Sequence, residues 1–138
     1  YMLNKSNEER GHAYRMIAFL VDSDQQVELP TVDAPERSWP SVKDLFDVVA
    51  SLEKSVTASI DRLYSLAEQL NERSATAMLD WFVEEQVQEE AEARFVCKRL
   101  RLAGSNTAAL LLLDQQFLDG TALASVKGGS GFGAVAVN

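Results

Sequence analysis

The sequence predicts an all-α fold, and three observations carry that reading. Helix breakers are scarce and clustered: the 138 residues hold 3 Pro and 7 Gly, with Pro30, Pro35 and Pro40 in one stretch and five glycines at or beyond Gly120. The segments between them repeat apolar residues at steps of three and four, the spacing of a helix with one core-facing stripe. No internal repeat is visible, and no strand signal appears outside the C-terminal tail. A hydrophobic fraction of 46% is too high for a disordered chain, and the length suits one domain.

The first element, Tyr1 to about Val21, reads as helix. Met2, Met16 and Phe19 keep a helical spacing, but Lys5, Glu9 and His12 fall on the same stripe. A polar connection from Asp22 to Pro40 follows, ~19 residues long and unusual inside a compact domain. Ser41 and Asp44 resemble a capping box, with Asp where Glu or Gln is usual.

The second helix spans about Val42 to Leu70. Leu45, Val49, Leu52, Val56, Ile60, Leu63, Ala67 and Leu70 give the expected core stripe. After a break at Asn71 to Arg73, Ser74 is placed to cap a third helix from about Ala75 to Ala103, ended by Gly104. Its stripe reads Met78 or Leu79, Phe82, Gln86, Glu89, Ala93, Val96 or Cys97, and Leu100. A short apolar helix, Thr107 to Leu118, precedes the Gly/Ala/Val-rich tail, 121–138. Two long helices joined by a short turn must be antiparallel. The long connection can travel the length of a ~40 Å helix, which allows the first two helices to be parallel.

The charge narrows the partners. Asp plus Glu number 21 against 13 Lys plus Arg, a net charge of -8. That balance repels nucleic acid and fits a cationic partner, of which metal ions are the obvious kind. No apolar run reaches the ~18–20 residues of a membrane span. The N-terminal segment is too polar for a secretory signal. One cysteine, Cys97, leaves no internal disulfide and suits a reducing compartment. One histidine, His12, rules out any site needing two from a single chain. Trp39, Trp81, Phe82 and Tyr64 read as packing residues, and Cys97 as buried and inert.

The stripes are broken by polar residues in a pattern. Glu9 and His12 lie at i, i+3 on one face. Glu53 follows Leu52 at the edge of the second stripe. Gln86 and Glu89, again i, i+3, sit in the middle of the third. Each alone has an ordinary reading as a solvated edge residue or a satisfied core amide. Together they place three carboxylates and one imidazole on core-facing stripes that lack matching bases. Burying an ionised carboxylate costs several kcal/mol unless it is paired or binds a metal. Oxygen ligands with one imidazole suit iron or manganese, whereas thiolate-rich zinc sites are excluded by composition.

Glu8-Glu9-Arg10-Gly11-His12-Ala13 resembles the EExxHA segment on the second bundle helix of ferritins. Trp81 to Glu90, WFVEEQVQEE, resembles their fourth-helix segment W-[FY]-V-x-E-Q-x-x-E-E. Leu52-Glu53-Lys54 falls where their third helix carries a ferroxidase glutamate. The separations, 41 residues from His12 to Glu53 and 33 from Glu53 to Gln86, match ungapped family spacing. Leu29-Pro30 with Ala34-Pro35 is similar to the crossover loop, and Asn106 to Gly120 to the short fifth helix. The likeness covers about residues 1–120, which would form the ferritin-like helical domain. It implies a ferritin-like four-helix bundle with a long crossover and a short fifth helix. Inward-facing Glu and Glu-x-x-His ligands are the known arrangement of that bundle class.

The resemblance implies a di-iron centre cycling between Fe(II) and Fe(III). Glu9 would bridge two irons, His12 would bind the first, and Glu53 and Glu89 would hold the second. Gln86 would sit beside the site and meet water or dioxygen-derived species. Glu8 and Glu85 match two ligands of a third iron position, where Gln88 departs from the expected Glu. No second Glu-x-x-His exists, which favours ferritins over bacterioferritins and rubrerythrins, and no haem is expected.

The implied function is iron storage and ferroxidase activity with Fe(II) and dioxygen. The implied assembly is a homo-oligomeric shell of about 24 copies, cytoplasmic, or in the plastid stroma if the source is an alga or plant. The family's first helix has no counterpart here. Because three long helices leave one core face uncovered, the natural chain is expected to begin ~50 residues before Tyr1. A structural subunit without a competent oxidase centre is the alternative, and a small helical interaction module a third reading.

Overall fold

The computed structural model describes residues 1–123 and Val126. Of the expected tail, positions 124, 125 and 127–138 lie outside the described residues. Four helices build the chain: α1 (Met2–Asp22), α2 (Val42–Leu70), α3 (Arg73–Ala103) and α4 (Thr107–Leu118). No strand occurs among the described residues. None of their helices is long and apolar enough to cross a membrane. The chain divides into two compact units, Tyr1–Ser38 and a second beginning at Trp39.

In the first unit, α1 carries no fully buried residue, while Met16, Ile17, Phe19 and Leu20 are half-buried. It ends where the Ser23 N–H returns to the Phe19 carbonyl at 3.1 Å and Asp24 takes a positive φ of 56°. Beyond it the chain has no regular structure and stays largely exposed up to Pro40. Pro30 and Pro35 suit this path, since each removes a backbone donor and disfavours helix in the residue before it.

In the second unit, α2 opens on Ser41, whose Oγ accepts the Asp44 N–H at 3.2 Å and donates to Asp44 Oδ2 at 2.5 Å. The expected cap is therefore present. At the other end Asn71 adopts the left-handed conformation (φ 58°, ψ 31°), and the Glu72 N–H closes on the Ala67 carbonyl at 2.9 Å. This i to i−5 bond turns the chain back within two residues. As a result α3 starts at Arg73 instead of Ala75, with Glu72 as its N-cap. Ser74 is already inside the helix and does not cap it. The antiparallel pairing of α2 and α3 follows from bonds at three levels: Tyr64 to Asp80, Gln86 to Glu53 and Cys97 to Phe46.

The α3 stripe is as expected. Leu79, Phe82, Gln86, Glu89, Ala93, Val96, Cys97 and Leu100 are all buried, joined by Glu92. The α2 stripe requires correction. Only Ile60 and Ala67 of the expected set are buried, and Leu52, Val56, Leu63 and Leu70 are exposed. The line turned toward α3 is displaced by about one residue: Phe46, Glu53, Thr57, Ile60, Tyr64 and Ala67. Three of those six are polar, so apolar periodicity selected the neighbouring face.

Gly104, at φ 55°, ends α3 with its N–H on the Leu100 carbonyl at 3.0 Å. The Asn106 side chain then caps α4 by accepting the Ala109 N–H at 3.1 Å. Phe117 of α4 stacks against Phe46 of α2 with centroids 6.3 Å apart, and Arg99 donates to Gln116. The apolar run Leu110 to Leu113 is split by helical geometry, with Leu113 buried and Leu111 and Leu112 exposed. Full burial of a Phe, Leu, Ile or Val side chain contributes about 1.5–3 kcal/mol. Phe46, Ile60, Leu79, Phe82, Val96, Leu100 and Leu113 are the buried side chains to which this range applies.

Candidate metal centre

The site residues divide between the two units. In the first, one turn of α1 places His12 directly above Glu9, and His12 Nδ1 lies 3.3 Å from Glu9 Oε2. The His12 side chain is 17% exposed against 52% for Glu9. Glu8, on the adjacent face, pairs with Lys5 Nζ at 3.0 Å.

In the second unit, Gln86 and Glu89 occupy one buried face of α3, each 5% exposed. They stand one turn apart among Phe82, Ala93 and Val96, in a stretch where only apolar side chains would otherwise be expected. Glu92 extends the polar line by a further turn and is equally buried. Glu53 and Glu85 are half-buried. Gln86 reaches α2 directly: Nε2 donates to the Glu53 main-chain carbonyl at 3.2 Å and to Thr57 Oγ1 at 3.1 Å. Thr57 in turn donates to Glu90 Oε1 at 2.8 Å, and Arg94 Nη1 donates to Glu90 Oε2 at 3.0 Å. Among the described residues, no buried side-chain nitrogen or oxygen lacks a hydrogen-bond partner.

The structure thus brings Glu9 to His12 and Gln86 to the Glu53 backbone, and it buries Glu89 beside Gln86. It does not gather three or more His, Cys, Asp or Glu side chains into a metal-holding group among the described residues. Carboxylates, a carboxamide and one imidazole are a donor set for hard or borderline cations, with no thiolate competing. The lone thiol, Cys97, is turned to the Phe46 carbonyl at 3.3 Å and takes no part.

Thr57, Glu90 and Glu92 escaped sequence reasoning as members of the polar constellation. Thr57 follows Glu53 at i+4 and Glu92 follows Glu89 at i+3, so both continue an already suspected face by one turn. That spacing was the available signal.

A family model described as a ferritin-like domain matches residues 1–103. The bacterial non-heme ferritin of Campylobacter jejuni is 32% identical over 115 residues, covering 83% of this chain and 69% of that protein. Ferritin BfrB of Mycolicibacterium smegmatis is 32% identical over 99 residues, or 72% of this chain and 55% of that protein. Among solved structures, an open pore ferritin from the hyperthermophilic archaeon Archaeoglobus fulgidus matches with a TM-score of 0.78 at 36% identity. That match covers 80% of this chain and 68% of the other. The chain therefore spans from 55% to 69% of the length of these relatives.

Proposed function

The chain belongs to the ferritin family, with an all-helical fold of the ferritin-like kind, and from that premise we propose that it is an iron-storage subunit that oxidises Fe(II). Fe(II) and dioxygen are the substrates, and the mineral of a multimeric shell is the destination. Glu9 and His12 would bind iron from the first unit, and Glu53 and Glu89 would bind it from the second. Gln86 supplies a neutral oxygen at the edge of the site, and Glu8 and Glu85 serve a further iron position.

The observation that carries this reading is the buried pair Gln86 and Glu89, each 5% exposed, which with the equally buried Glu92 interrupts an apolar stripe. A helix that needed only to pack would hold apolar residues there, because burying a carboxylate costs several kcal/mol. A cation offsets that cost. The Glu9–His12 contact supports the same reading. It sets a carboxylate oxygen and an imidazole nitrogen 3.3 Å apart on one helical turn, two donor types that iron would take. A carboxylate-rich donor set stabilises Fe(III) more than Fe(II), which favours electron loss to dioxygen. The chain's net charge of -8 raises the local concentration of Fe(II).

A second reading is a structural subunit without a competent oxidase centre. Oxygen uptake separates the two. Anaerobic loading followed by exposure to air should consume about one dioxygen per two Fe(II), saturating at about two Fe(II) per chain. Uptake no faster than that of Fe(II) in buffer would leave the structural reading standing.

A further inference from the structure

The carboxamide of Gln86 is oriented by α2, and the orientation can be read from a chain of obligatory donors and acceptors. Arg94 only donates and an ionised Glu90 only accepts, so the Arg94 bond to Glu90 Oε2 at 3.0 Å has one direction. Thr57 Oγ1 lies 2.8 Å from Glu90 Oε1 and 3.0 Å from the Glu53 carbonyl oxygen. Both only accept, so the hydroxyl donates to one or the other, and in either case the Thr57 oxygen presents lone pairs to Gln86. The Gln86 group facing it at 3.1 Å is therefore the NH2. The second amide hydrogen falls on the Glu53 carbonyl at 3.2 Å, another pure acceptor. Both hydrogens are taken by α2, and the reversed amide would set oxygen against oxygen at the Glu53 carbonyl.

We propose that Thr57 is the positioning residue for Gln86: it fixes the carboxamide so that Oε1, and not the NH2, is the atom offered to Fe(II). The proposal rests on the reading that Gln86 belongs to the iron site. An NH2 presented to a cation is repelled, whereas a carbonyl oxygen is a ligand for it. The Thr57 oxygen thus acts together with the Glu53 carbonyl to hold the NH2 of Gln86 on α2. A cleft of about 270 Å³ bordered by Thr57, Gln86, Glu90, Arg94, Ile60 and Val83 lets solvent reach this network. Removing bulk at position 57 would therefore admit a water that could replace the hydroxyl. Valine fills the same space without a hydroxyl, and serine keeps the hydroxyl without the methyl.

The test uses the full chain with Thr57→Val, Thr57→Ser and Gln86→Ala. Two quantities are read: Co(II) binding to the metal-free protein, followed by visible absorption, and the Fe(II) dependence of initial oxidation. A ligand offered in the ground state appears in KM and in Co(II) affinity before it appears in kcat. Thr57→Val should weaken Co(II) binding and raise the KM for Fe(II) by roughly five- to tenfold, with kcat within about twofold. Thr57→Ser should restore both to near the parent values. If Gln86→Ala shifts both quantities and Thr57→Val shifts neither, the iron site stands and the positioning role is overturned. If Gln86→Ala also shifts neither, Gln86 lies outside the site and the proposal falls with that assignment. A parent that neither binds Co(II) nor oxidises Fe(II) removes the site and the proposal together.

Discussion

Tyr64 donates its phenolic hydroxyl to Asp80 Oδ1 at 2.9 Å, binding α2 to α3 near the turn that joins them. The bond, and the negative charge of Asp80 beside it, raise the Tyr64 pKa above the ordinary phenol value. A phenol that ionises later in the folded protein than in the unfolded chain contributes stability fully present below about pH 10. That contribution is lost as pH rises through the raised folded value. Tyr64→Phe should therefore lower the urea midpoint at pH 7 and converge on the parent in strongly alkaline buffer. Urea titrations at three pH values check it, and a gap that widens with pH would contradict the assignment.

Cys97 points its Sγ at the Phe46 carbonyl and is buried. Burial, then the nearby Asp47 carboxylate, push its thiol up from the ordinary range. Only the thiolate is nucleophilic. Iodoacetamide at pH 8 should therefore alkylate the folded protein at least about tenfold more slowly than the urea-unfolded chain. Mass spectrometry over a time course reads the two rates, and equal rates would mean that the thiol is open to solvent.

How far the sequence could be read depended on which physical signal each element carried. Helix ends marked by a breaker or a cap were legible: α2 begins after Ser41, α3 ends at Gly104 and α4 follows Asn106. The α3 stripe was legible even through Gln86 and Glu89, because its remaining expected members are apolar. The α2 stripe was not. That helix carries apolar residues over a wide arc, and its line toward α3 runs through Glu53, Thr57 and Tyr64. The Glu53 main-chain carbonyl and the Thr57 and Tyr64 side chains meet α3 by hydrogen bonds, which leave no trace in an apolar repeat. Among the site residues, the i, i+3 pairs were visible because one turn of helix sets their spacing. Thr57 was hidden because its role depends on Gln86 and Glu90, 29 and 33 residues away. The start of α3 was misjudged because the reversal is set by the conformation of Asn71, not by a capping side chain.

Asn71 tests that last point. At φ 58° it occupies the left-handed region, which costs an ordinary L-residue roughly 1–2 kcal/mol. Asn tolerates this better than most residues, and glycine accepts it freely. Asn71→Gly should leave stability unchanged or raise it slightly, and Asn71→Ala should lower it by about 1 kcal/mol. Asn71→Val should cost more, since β-branching crowds a positive φ. Denaturant midpoints in that order, Gly at or above Asn and then Ala and Val, are the expected result. An alanine variant as stable as the parent would place the strain elsewhere in the turn.

Glu89 bears most directly on the proposed chemistry, and its test must separate ligation from stability. Any change at a residue this buried alters the folding free energy by itself. The informative quantity is therefore a difference: the rise in thermal midpoint on adding Co(II) under anaerobic conditions. A cation that binds only the folded chain stabilises it by RT ln(1 + [L]/Kd), about 2.7 kcal/mol at a hundredfold excess over Kd. Subtracting each variant's metal-free midpoint cancels the packing effect. Glu89→Gln keeps the shape and hydrogen-bonding reach but removes the charge that draws the metal. Its Co(II)-induced rise should shrink to a small fraction of the parent's, and its initial rate of Fe(II) oxidation should fall at least about tenfold. Glu84→Gln, an exposed position on the same helix, removes the same charge from the chain and should change neither. If Glu84→Gln reproduces the loss, the effect is the chain's overall charge attracting cations and Glu89 is no ligand. If Glu89→Gln keeps the full rise and the full rate, the buried carboxylate on α3 serves packing and the second iron must be held by other residues.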